Sequence, residues 1–380
     1  MKKRRKTCRL EEISDEILVL IFGLLSPQDL VVCSRVCRRW QATASDGQLW
    51  RAHVHDSFPW RKQESAEEDW KSVYRKMWNW TTGRHALVDA RQHEGMVMYC
   101  EGHVVTAGRT LRVWKGEQLL DEAEIQQATR MAVDVREGVC VMLAHQDGWS
   151  VYRVEDTLRL VYAHGISCDY MALCWPYAVT LSITSRQQLR LWRLPGKQQV
   201  SLLSSVVSSP PLALSLQAEE KGVVVVSIAH CLPRYRAGYT PFVQRLSFQA
   251  TGGLVASQYI SCKESIGKPL SMAFAPPDLL TSHGDNTLAW WRVSASSMHG
   301  PQRLWGHTSG IAAAGISSQR AVSMAAHELR IWHLDADGGR DRGVPITLPS
   351  GTHLLHGLDG ERVLLAGPKD DGRGVFLDFS

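Results

Sequence analysis

The chain has 380 residues, of which 44% are hydrophobic, and its formal net charge is +5. This length accommodates a small module together with a larger one, and the apolar content excludes wholesale disorder. Residues 1–9 (MKKRRKTCR) hold six positive charges and no acid, so the rest of the chain, +5 less 6, carries −1. A body this close to neutral argues against a large nucleic-acid-binding face.

The first residues do not predict a targeting or membrane segment. Acids at Glu11, Glu12, Asp15 and Glu16 follow the basic start, where a signal peptide would have an apolar region. No run of 18 apolar residues occurs, so we expect no membrane span. The nine cysteines are scattered singly without a CxxC pair, which indicates free thiols in a reducing compartment.

Residues 10–53 predict a small helical unit. Ser14 is a predicted N-cap with acids in the following turn, and Ser26-Pro27 predicts the start of a second helix. The apolar residues at helical spacing in the first helix are Ile17, Leu18, Ile21, Phe22 and Leu25. We expect three helices in about 40 residues, a unit so small that it is marginal as an independent fold.

The stretch VVCSRVCRRW, residues 31–40, is predicted to belong to the second helix. Its cysteines at 33 and 37 supply only two metal ligands, and no nearby Cys/His pair completes a set of four. They are therefore interpreted as small core residues. The arginines at 35, 38 and 39 are interpreted as a solvated face in preference to a phosphate site.

Three stretches of this region, taken together, resemble an F-box. They are ISDEILVLIFGLLSPQDL (13–30), VCRRW (36–40) and LWR (49–51). F-boxes dock on the Skp-type adaptor of cullin–RING ubiquitin ligases, so the resemblance implies that partner. The residues implied to contact or shape the adaptor surface are Ile13, Ile17, Ile21, Phe22, Leu25, Pro27 and Leu30.

The resemblance also implies core positions at Val36, Cys37, Trp40 and Trp50. One departure from the family pattern concerns the adaptor: the usual leucine-proline is Ile13-Ser14 here. The resemblance therefore implies a weakened affinity for the adaptor at this position.

Residues 54–83 are rich in tryptophan and predict a helix from Glu64 to Trp78. The spacing of four between Trp70, Tyr74 and Trp78 favours a helix that packs one domain against another over a ligand cage. The stretches DWKSVY (69–74) and NWTTG (79–83) are similar to the connector of F-box proteins that carry WD repeats.

The remainder of the chain repeats an apolar strand that ends in an aromatic residue, at intervals of roughly 40 residues. The seven aromatic residues are Trp114, Tyr152, Trp192, Phe248, Trp291, Trp332 and Phe379. Seven such units predict a seven-bladed propeller of four-stranded sheets. Because the last unit stops at its third strand, we expect residues 84–88 to supply its outer strand and close the ring.

The units resemble degenerate WD repeats. Gly306-His307 followed by Trp332 is the best copy, and Asp147 and Asp285 lie where the family keeps a turn aspartate. These His and Asp residues are interpreted as hydrogen-bonding groups of the scaffold and not as catalysts. The chain contains no GxSxG, HExxH, GxxxxGK or GxGxxG motif, so we predict no enzyme activity, no metal and no cofactor.

A propeller presents its loops on a rigid face, and binding sites concentrate in loops. HCLPRYRAGYTP (230–241) is the longest predicted loop, between the second and third strands of the fourth unit, which in WD proteins opens on the substrate-binding face. Clustered arginines there would suit a phosphorylated peptide, the alternative being an ordinary solvated loop. The candidate substrate-binding residues are Arg109, Arg130, Arg186, Arg234, Tyr235, Arg236 and Tyr239.

The sequence therefore predicts a small all-α F-box head plus an all-β propeller of seven WD-like blades, joined by a helical connector. The predicted bounds are 1–9 for a basic tail, 10–53 for the F-box, 54–83 for the connector and 84–380 for the propeller. The resemblance implies a non-catalytic substrate receptor of an SCF-type ubiquitin ligase. We expect the protein in the cytoplasm and/or the nucleus, with the basic tail as a candidate nuclear import signal. Two alternatives remain: a scaffold that binds the adaptor poorly, and a nuclear or nucleic-acid-associated protein guided by KKRRK (2–6).

Overall fold

A computed structural model describes residues 13–59, 69–92, 95–183, 187–194, 196, 198–204, 209–219, 222–317, 320–334, 343–348, 354–366 and 373–380. The predictions for the basic tail, for the helix start at Glu64 and for Arg186 lie outside the described residues. The chain divides into two compact units, one of residues 1–84 with 379–380 and one of residues 85–378.

The described part of the first unit contains five helices. They are α1 (Asp15–Phe22), α2 (Pro27–Cys33), α3 (Arg38–Ala44), α4 (Gly47–Ser57) and α5 (Trp70–Thr82). Side-chain oxygens cap three of them: Ser26 accepts from the amide of Asp29, Asp46 from that of Gln48, and Asp69 from those of Lys71 and Ser72. Each cap satisfies an amide that has no partner within its helix.

The prediction of one helix through residues 31–40 is wrong. The amides of Arg35 and Val36 bond three residues back, to the carbonyls of Val32 and Cys33, and these tighter bonds end α2. Cys37 then has extended backbone as the N-cap of α3. Val36 is therefore 61% exposed and Cys37 is exposed, so neither is a core residue as the resemblance implied.

All five helices contribute to one apolar core. Buried side chains from α1, α2, α3 and α4 pack with Tyr74 and Met77 of α5. Trp50 lies at the centre, where its indole N–H donates to the carbonyl of Ala44 at 2.7 Å. Trp40, half-buried, meets Phe22 edge-on at a ring separation of 5.3 Å. The predicted connector helix is thus packed into the head itself.

Helix α5 starts after its cap, Asp69, and ends at Gly83 in the left-handed region at φ 72°. It runs four residues beyond the predicted end at Trp78. In that last turn Trp80 is fully buried and stacks on Phe379, with ring centroids 4.0 Å apart. The side-chain amide of Asn79 donates to the carbonyl of Phe379 at 3.2 Å.

The second unit consists of strands. In chain order they are β1 (Ala86–Gln92), β2 (Met96–Cys100), β3 (His103–Ala107), β4 (Thr110–Lys115), β5 (Gln118–Glu124), β6 (Arg130–Asp134), β7 (Cys140–Ala144), β8 (Trp149–Val154), β9 (Leu158–His164), β10 (Tyr170–Cys174), β11 (Tyr177–Ser182), β12 (Gln188–Arg193), β13 (Gln198–Leu203), β14 (Leu212–Glu219), β15 (Val223–Arg234), β16 (Gly238–Gln249), β17 (Leu254–Ser261), β18 (Pro269–Ala275), β19 (Asp278–His283), β20 (Leu288–Val293), β21 (Met298–Leu304), β22 (Ile311–Ser317), β23 (Arg320–Ala325), β24 (Glu328–His333), β25 (Val344–Thr347), β26 (Leu354–Leu358), β27 (Arg362–Ala366) and β28 (Arg373–Asp378).

These strands form seven antiparallel four-stranded sheets, so the predicted seven-bladed propeller is confirmed. Blades 1 to 6 are β2–β5, β6–β9, β10–β13, β14–β17, β18–β21 and β22–β25. The first strands of successive blades contact one another, and β26 contacts β2, which completes the circle. Blade 7 has the order β1-β28-β27-β26, so the N-terminal strand closes the ring as predicted.

The third strand of each of the first six blades carries its aromatic residue at a fixed register. Trp114 pairs with Val104, the second residue of the neighbouring strand, and Trp332 pairs likewise with Ala321. In blade 7 the equivalent residue is Leu377, which pairs with Val363. The prediction that Phe379 ends the seventh strand is therefore wrong, since Phe379 belongs to the first unit.

In blade 6 a buried hydrogen-bond network joins the second and third strands to the loop before the blade. The hydroxyl of Ser323 lies 2.7 Å from the Nε2 atom of His307 and accepts from the indole N–H of Trp332 at 2.7 Å. In blade 5, Asp285 accepts from the amide and hydroxyl of Thr287 within a turn. Both networks hold the scaffold, which supports the interpretation of His307 and Asp285 as structural groups.

We predict that Trp332→Phe lowers the free energy of unfolding by about 2 kcal/mol, because it leaves the buried hydroxyl of Ser323 without its donor and creates a cavity. The control is Trp305→Phe, the same change at a half-exposed side chain, which we expect to cost less than about 0.5 kcal/mol. Urea unfolding measures both variants, and equal costs would contradict the prediction.

A second prediction concerns pH. Burial lowers the pKa of His230 to about 4, well below its ordinary value of 6.5. Between pH 6.5 and about 4, the histidine is protonated in the unfolded chain and neutral in the folded chain. The free energy of unfolding therefore falls as the pH falls through this range. At pH 5, His230 alone lowers the free energy of unfolding by roughly 2 kcal/mol relative to neutral pH.

We expect His230→Gln to remove that part of the loss between pH 7 and pH 5, measured by urea unfolding at both values. His299→Gln, at an exposed position, is the control and should leave the loss unchanged. If both variants lose as much stability as the wild type, His230 does not carry the effect.

Candidate adaptor face and propeller rim

Helix α1 and the turn after it are apolar on two sides. On the inner side, Leu18 and Phe22 are 1% and 2% exposed within the head core. On the other side, four large aliphatic residues recur at helical spacing and face outward: Ile17, Leu20, Ile21 and Leu24. We call this set the outer face of α1. A helix that is apolar all round is normally covered on both sides, and here one side is open.

The outer face is strongly exposed. Leu24 is 88% exposed and Leu20 is 72% exposed. The next helix also exposes aliphatic side chains, those of Val31 and Val32 on α2. Exposed apolar surface in such amounts on one small unit is characteristic of an interaction site.

The predicted adaptor residues fall into three groups. Ile17 and Ile21 lie on the outer face, and Ile13, Leu25 and Pro27 are half-buried. Phe22 and Leu30 are buried, so they can shape the surface from beneath but have no area of their own to offer a partner. The adaptor role of all seven remains a prediction.

Sequence reasoning missed Leu20 and Leu24, the two most exposed residues of the outer face. The signal was present, because α1 and its turn (DEILVLIFGLL, 15–25) contain more apolar residues than one core-facing stripe requires. That excess predicts a second apolar face.

Arg39 fixes the start of α1. Its Nε atom lies 2.7 Å from a carboxylate oxygen of Asp15, and its Nη2 atom donates to the carbonyl of Ile13. The interpretation of all three arginines as a solvated face is thus wrong for Arg39, which ties α3 to α1 across 24 residues. The ion pair is partly exposed, so its role is positional more than energetic.

The head also contains an apolar cavity of about 230 Å³ among α2, α4 and α5. Val31, Trp50, Tyr74 and Trp78 contribute to its wall. Lys71 lies at its edge, with the ammonium nitrogen 5.7 Å from the Trp50 ring centroid. Its lining is suited to an apolar group.

The predicted long loop at 230–241 is mostly strand. β15 continues to Arg234 and β16 starts at Gly238, so the turn is only Tyr235–Ala237. Arg236 adopts a left-handed backbone at φ 59°, which lets three residues reverse the chain. The stretch 230–241 is therefore the end of a long hairpin, because every residue from 223 to 234 pairs with a residue of β16.

The structure brings together four of the seven candidate substrate residues. Arg234, Tyr235 and Arg236 are exposed at the hairpin tip, and Tyr239 is half-buried beside them. Arg109 follows β3 on blade 1, and Arg130 starts β6 on blade 2 with its guanidinium 4.8 Å from the Tyr170 ring centroid. These two arginines therefore lie on other blades. The substrate role of all seven remains a prediction.

The described residues contain no group of three or more His, Cys, Asp or Glu side chains that could hold a metal ion. None of the described helices is long and apolar enough to cross a membrane.

Comparisons with known families identify both parts of the chain. Residues 15–56 match the family described as F-box-like. Residues 86–266 and 261–339 match the family described as F-box protein pof12 beta-propeller, and this match covers more than half of the chain. The first match lies within the helical head and the second within the bladed unit.

Individual relatives are distant. The F-box/LRR-repeat protein 5 of Xenopus laevis is 25% identical over 126 residues, which are 32% of this chain and 15% of that relative. The chain thus matches only a small part of that curated relative's length. A solved structure, the computationally designed Ika8 protein, is 16% identical with a TM-score of 0.50, covering 77% of this chain and 99% of that one. The likeness concerns the fold alone.

We predict that the two sides of α1 respond differently to truncation. Leu18→Ala should lower the free energy of unfolding by about 2–5 kcal/mol, because it empties a buried site. Leu20→Ala, the matched control two residues away, should change it by less than about 0.5 kcal/mol. Thermal or urea unfolding distinguishes them, and a large loss in Leu20→Ala would mean that the outer face is part of the core.

Proposed function

We propose that this chain, which belongs to the F-box protein pof12 β-propeller family, is the substrate-recruiting subunit of an SCF-type ubiquitin ligase. An F-box-like head followed by the propeller of an F-box protein is the organisation of a receptor. In this proposal the head docks on a Skp-type adaptor, and through it on a cullin–RING ligase, while the propeller binds the protein to be ubiquitinated.

The outer face of α1 is the observation that carries the proposal. Covering one large aliphatic side chain is worth roughly 1.5–3 kcal/mol, and four of them stand together on α1 and its turn. Association and side-chain ordering consume part of this gain. What remains is enough to hold a partner with a matching apolar groove, which is the surface we expect the adaptor to offer.

The propeller contributes proximity in this proposal. Its closed ring of seven sheets presents turns and loops on a rigid frame, to which a target protein can bind. Holding the target near the transferring enzymes makes a bimolecular reaction effectively intramolecular, which lowers the barrier by several kcal/mol. The proposed target is a protein, with a phosphorylated segment as one candidate for what is recognised, and no bond chemistry is assigned to this chain.

One observation favours a second candidate, a scaffold that engages the adaptor weakly. The family's leucine-proline is Ile13-Ser14 here, and Ile13 is half-buried against the head core with its carbonyl held by Arg39. For this second candidate we infer that the change at this position weakens binding to the adaptor. For the location of the protein we propose the cytoplasm and/or the nucleus, with KKRRK (2–6) as a candidate import signal.

The decisive experiment is co-purification of the full chain with a Skp-type adaptor. We expect one-to-one binding by the wild type and a loss of at least about 100-fold in Leu20→Asp/Leu24→Asp, because two charges then face the apolar groove. Both positions are exposed, so the variant should unfold at the wild-type temperature.

The control is Leu160→Asp/Leu254→Asp, which places the same charges at exposed leucines of the propeller. It should bind the adaptor as the wild type does. A folded wild type that does not bind the adaptor would favour the scaffold, and equal binding by both double variants would remove the outer face from the interface.

A further inference from the structure

The hairpin of blade 4 is far longer than its counterparts. In blades 1, 2, 3, 5 and 6, the second strand ends three or four residues beyond the residue that pairs with the third-strand aromatic. In blade 4 that residue is Val224, which pairs with Phe248, and the strand continues for ten residues to Arg234. At about 3.3 Å per residue, the six or seven additional residues extend the hairpin by roughly 20 Å.

The extension is fastened to the chain between blades 4 and 5. The amide of Tyr239 donates to the carbonyl of Ile266, and the amide of Ile266 donates back, both at 2.8 Å. Gly238, at φ 93°, allows the approach, because a Cβ there would lie 2.4 Å from the same carbonyl. Cys231 and Ile266 are buried in one apolar cluster beneath. The end of the hairpin is therefore held in place by backbone hydrogen bonds and by a packed apolar cluster.

The end of this hairpin is positively charged. We call Arg234, Tyr235 and Arg236, with Lys263 and Lys268 of the fastening segment, the basic tip. Within residues 230–241 and 262–268 only Glu264 is acidic, so the local net charge is +3. The chain outside its first nine residues is nearly neutral, so the basic tip is a local concentration of charge.

These charges have no carboxylate partner within the described part of the chain. Elsewhere in the propeller, Arg112 lies 2.8 Å from Glu122, and Arg362 lies 2.8 Å from Asp378. Among the described residues, none of the four cationic side chains of the basic tip makes an ion pair. Arg236 instead lies 5.3 Å from the ring centroid of Tyr235, which is 89% exposed. Exposed Arg and Tyr side chains are the types enriched at binding hot spots.

We propose that the basic tip binds an anionic segment of the protein that the propeller recruits, through its carboxylates or phosphates. This inference rests on the proposed function. Two guanidinium groups with free N–H forks can each bind a carboxylate or phosphate bidentately. The two lysines add charge that steers the segment to the tip, and Tyr235 adds an aromatic surface for its apolar side chains.

The test measures fluorescence anisotropy of labelled peptides of about 15 residues on the full chain. The probes are an Asp/Glu-rich peptide, a phosphoserine peptide, a neutral Asn/Gln/Ser peptide and a single-stranded oligonucleotide of similar length. We expect both anionic peptides to bind at least about 10-fold more tightly than the neutral one, with an affinity that falls as salt rises. Tighter binding of the phosphoserine peptide would identify phosphate as the preferred group, tighter binding of the Asp/Glu-rich peptide would identify carboxylate, and equal binding would show that the basic tip accepts either group.

The variant is Arg234→Glu/Arg236→Glu, which reverses two exposed charges. It should lower the affinity for both anionic peptides by about 10-fold or more. The matched control is Lys115→Glu/Arg193→Glu, the same charge change at exposed ends of β4 and β12, at the opposite end of the propeller. The control should bind like the wild type. Thermal unfolding confirms that all variants are folded.

Three results would overturn the inference: equal affinity for neutral and anionic peptides, unchanged binding by Arg234→Glu/Arg236→Glu, or a preference for the oligonucleotide over both anionic peptides. Adaptor co-purification, run on the same samples, separates this inference from the proposed function. Adaptor binding without anionic-peptide binding would reject the basic tip alone, and peptide binding without adaptor binding would reject the ligase assignment alone.

Discussion

The pairing of β1 with β28 is the interaction on which the propeller depends. Three strands of blade 7 come from the end of the described chain, and the fourth comes from residues 86–92, nearly 300 residues earlier. Without this strand, β28 would expose a row of unpaired amides and carbonyls, the usual template for aggregation. Because the first strands of the blades contact one another in a closed circle, a loss at this sheet weakens the neighbours on both sides.

The blades of the closed ring share the pairing of the third-strand aromatic residue and differ in the length of their hairpins. The third-strand aromatic and its bulged pairing recur in several blades, as at Val113/Trp114 and Val151/Tyr152. Hydroxyls of the second strand accept from indole groups in blades 3 and 6, where Thr180 and Ser323 do so. Blade 4 keeps the aromatic register and adds its long hairpin beyond it, so the extension leaves the register of the blade unchanged.

The two units expose surfaces of opposite chemistry. The head exposes aliphatic side chains on α1, which favour a dry interface with a permanent or slowly dissociating partner. The propeller exposes uncompensated positive charge at one hairpin, which favours rapid, salt-sensitive capture of an anionic segment. Under the proposed function, this combination suits a receptor that stays on its adaptor while its targets exchange.

The sequence by itself determined the features that depend on local periodicity and composition. The spacing of apolar residues in α1, the cap and proline at Ser26-Pro27, the repeat of about 40 residues and the spare strand at 84–88 were sufficient to predict a helical head and a seven-bladed propeller. The order of the three stretches between residues 13 and 51 was sufficient to predict the F-box. Most of these signals lie within one element or one repeat, so no distant contact is needed to interpret them. The strand at 84–88 is the exception, because its prediction rests on the strand missing from the last unit.

Only the tertiary structure decided which apolar residues are buried. Leu18 and Leu20 are both leucines of one helix, and the core takes the first and leaves the second exposed because the other helices pack on one side of α1. The place of Phe379 in the head likewise depends on partners far away in sequence, since it stacks on Trp80 about 300 residues earlier. Burial and register are properties of the packed chain, since they depend on neighbours that local patterns do not specify.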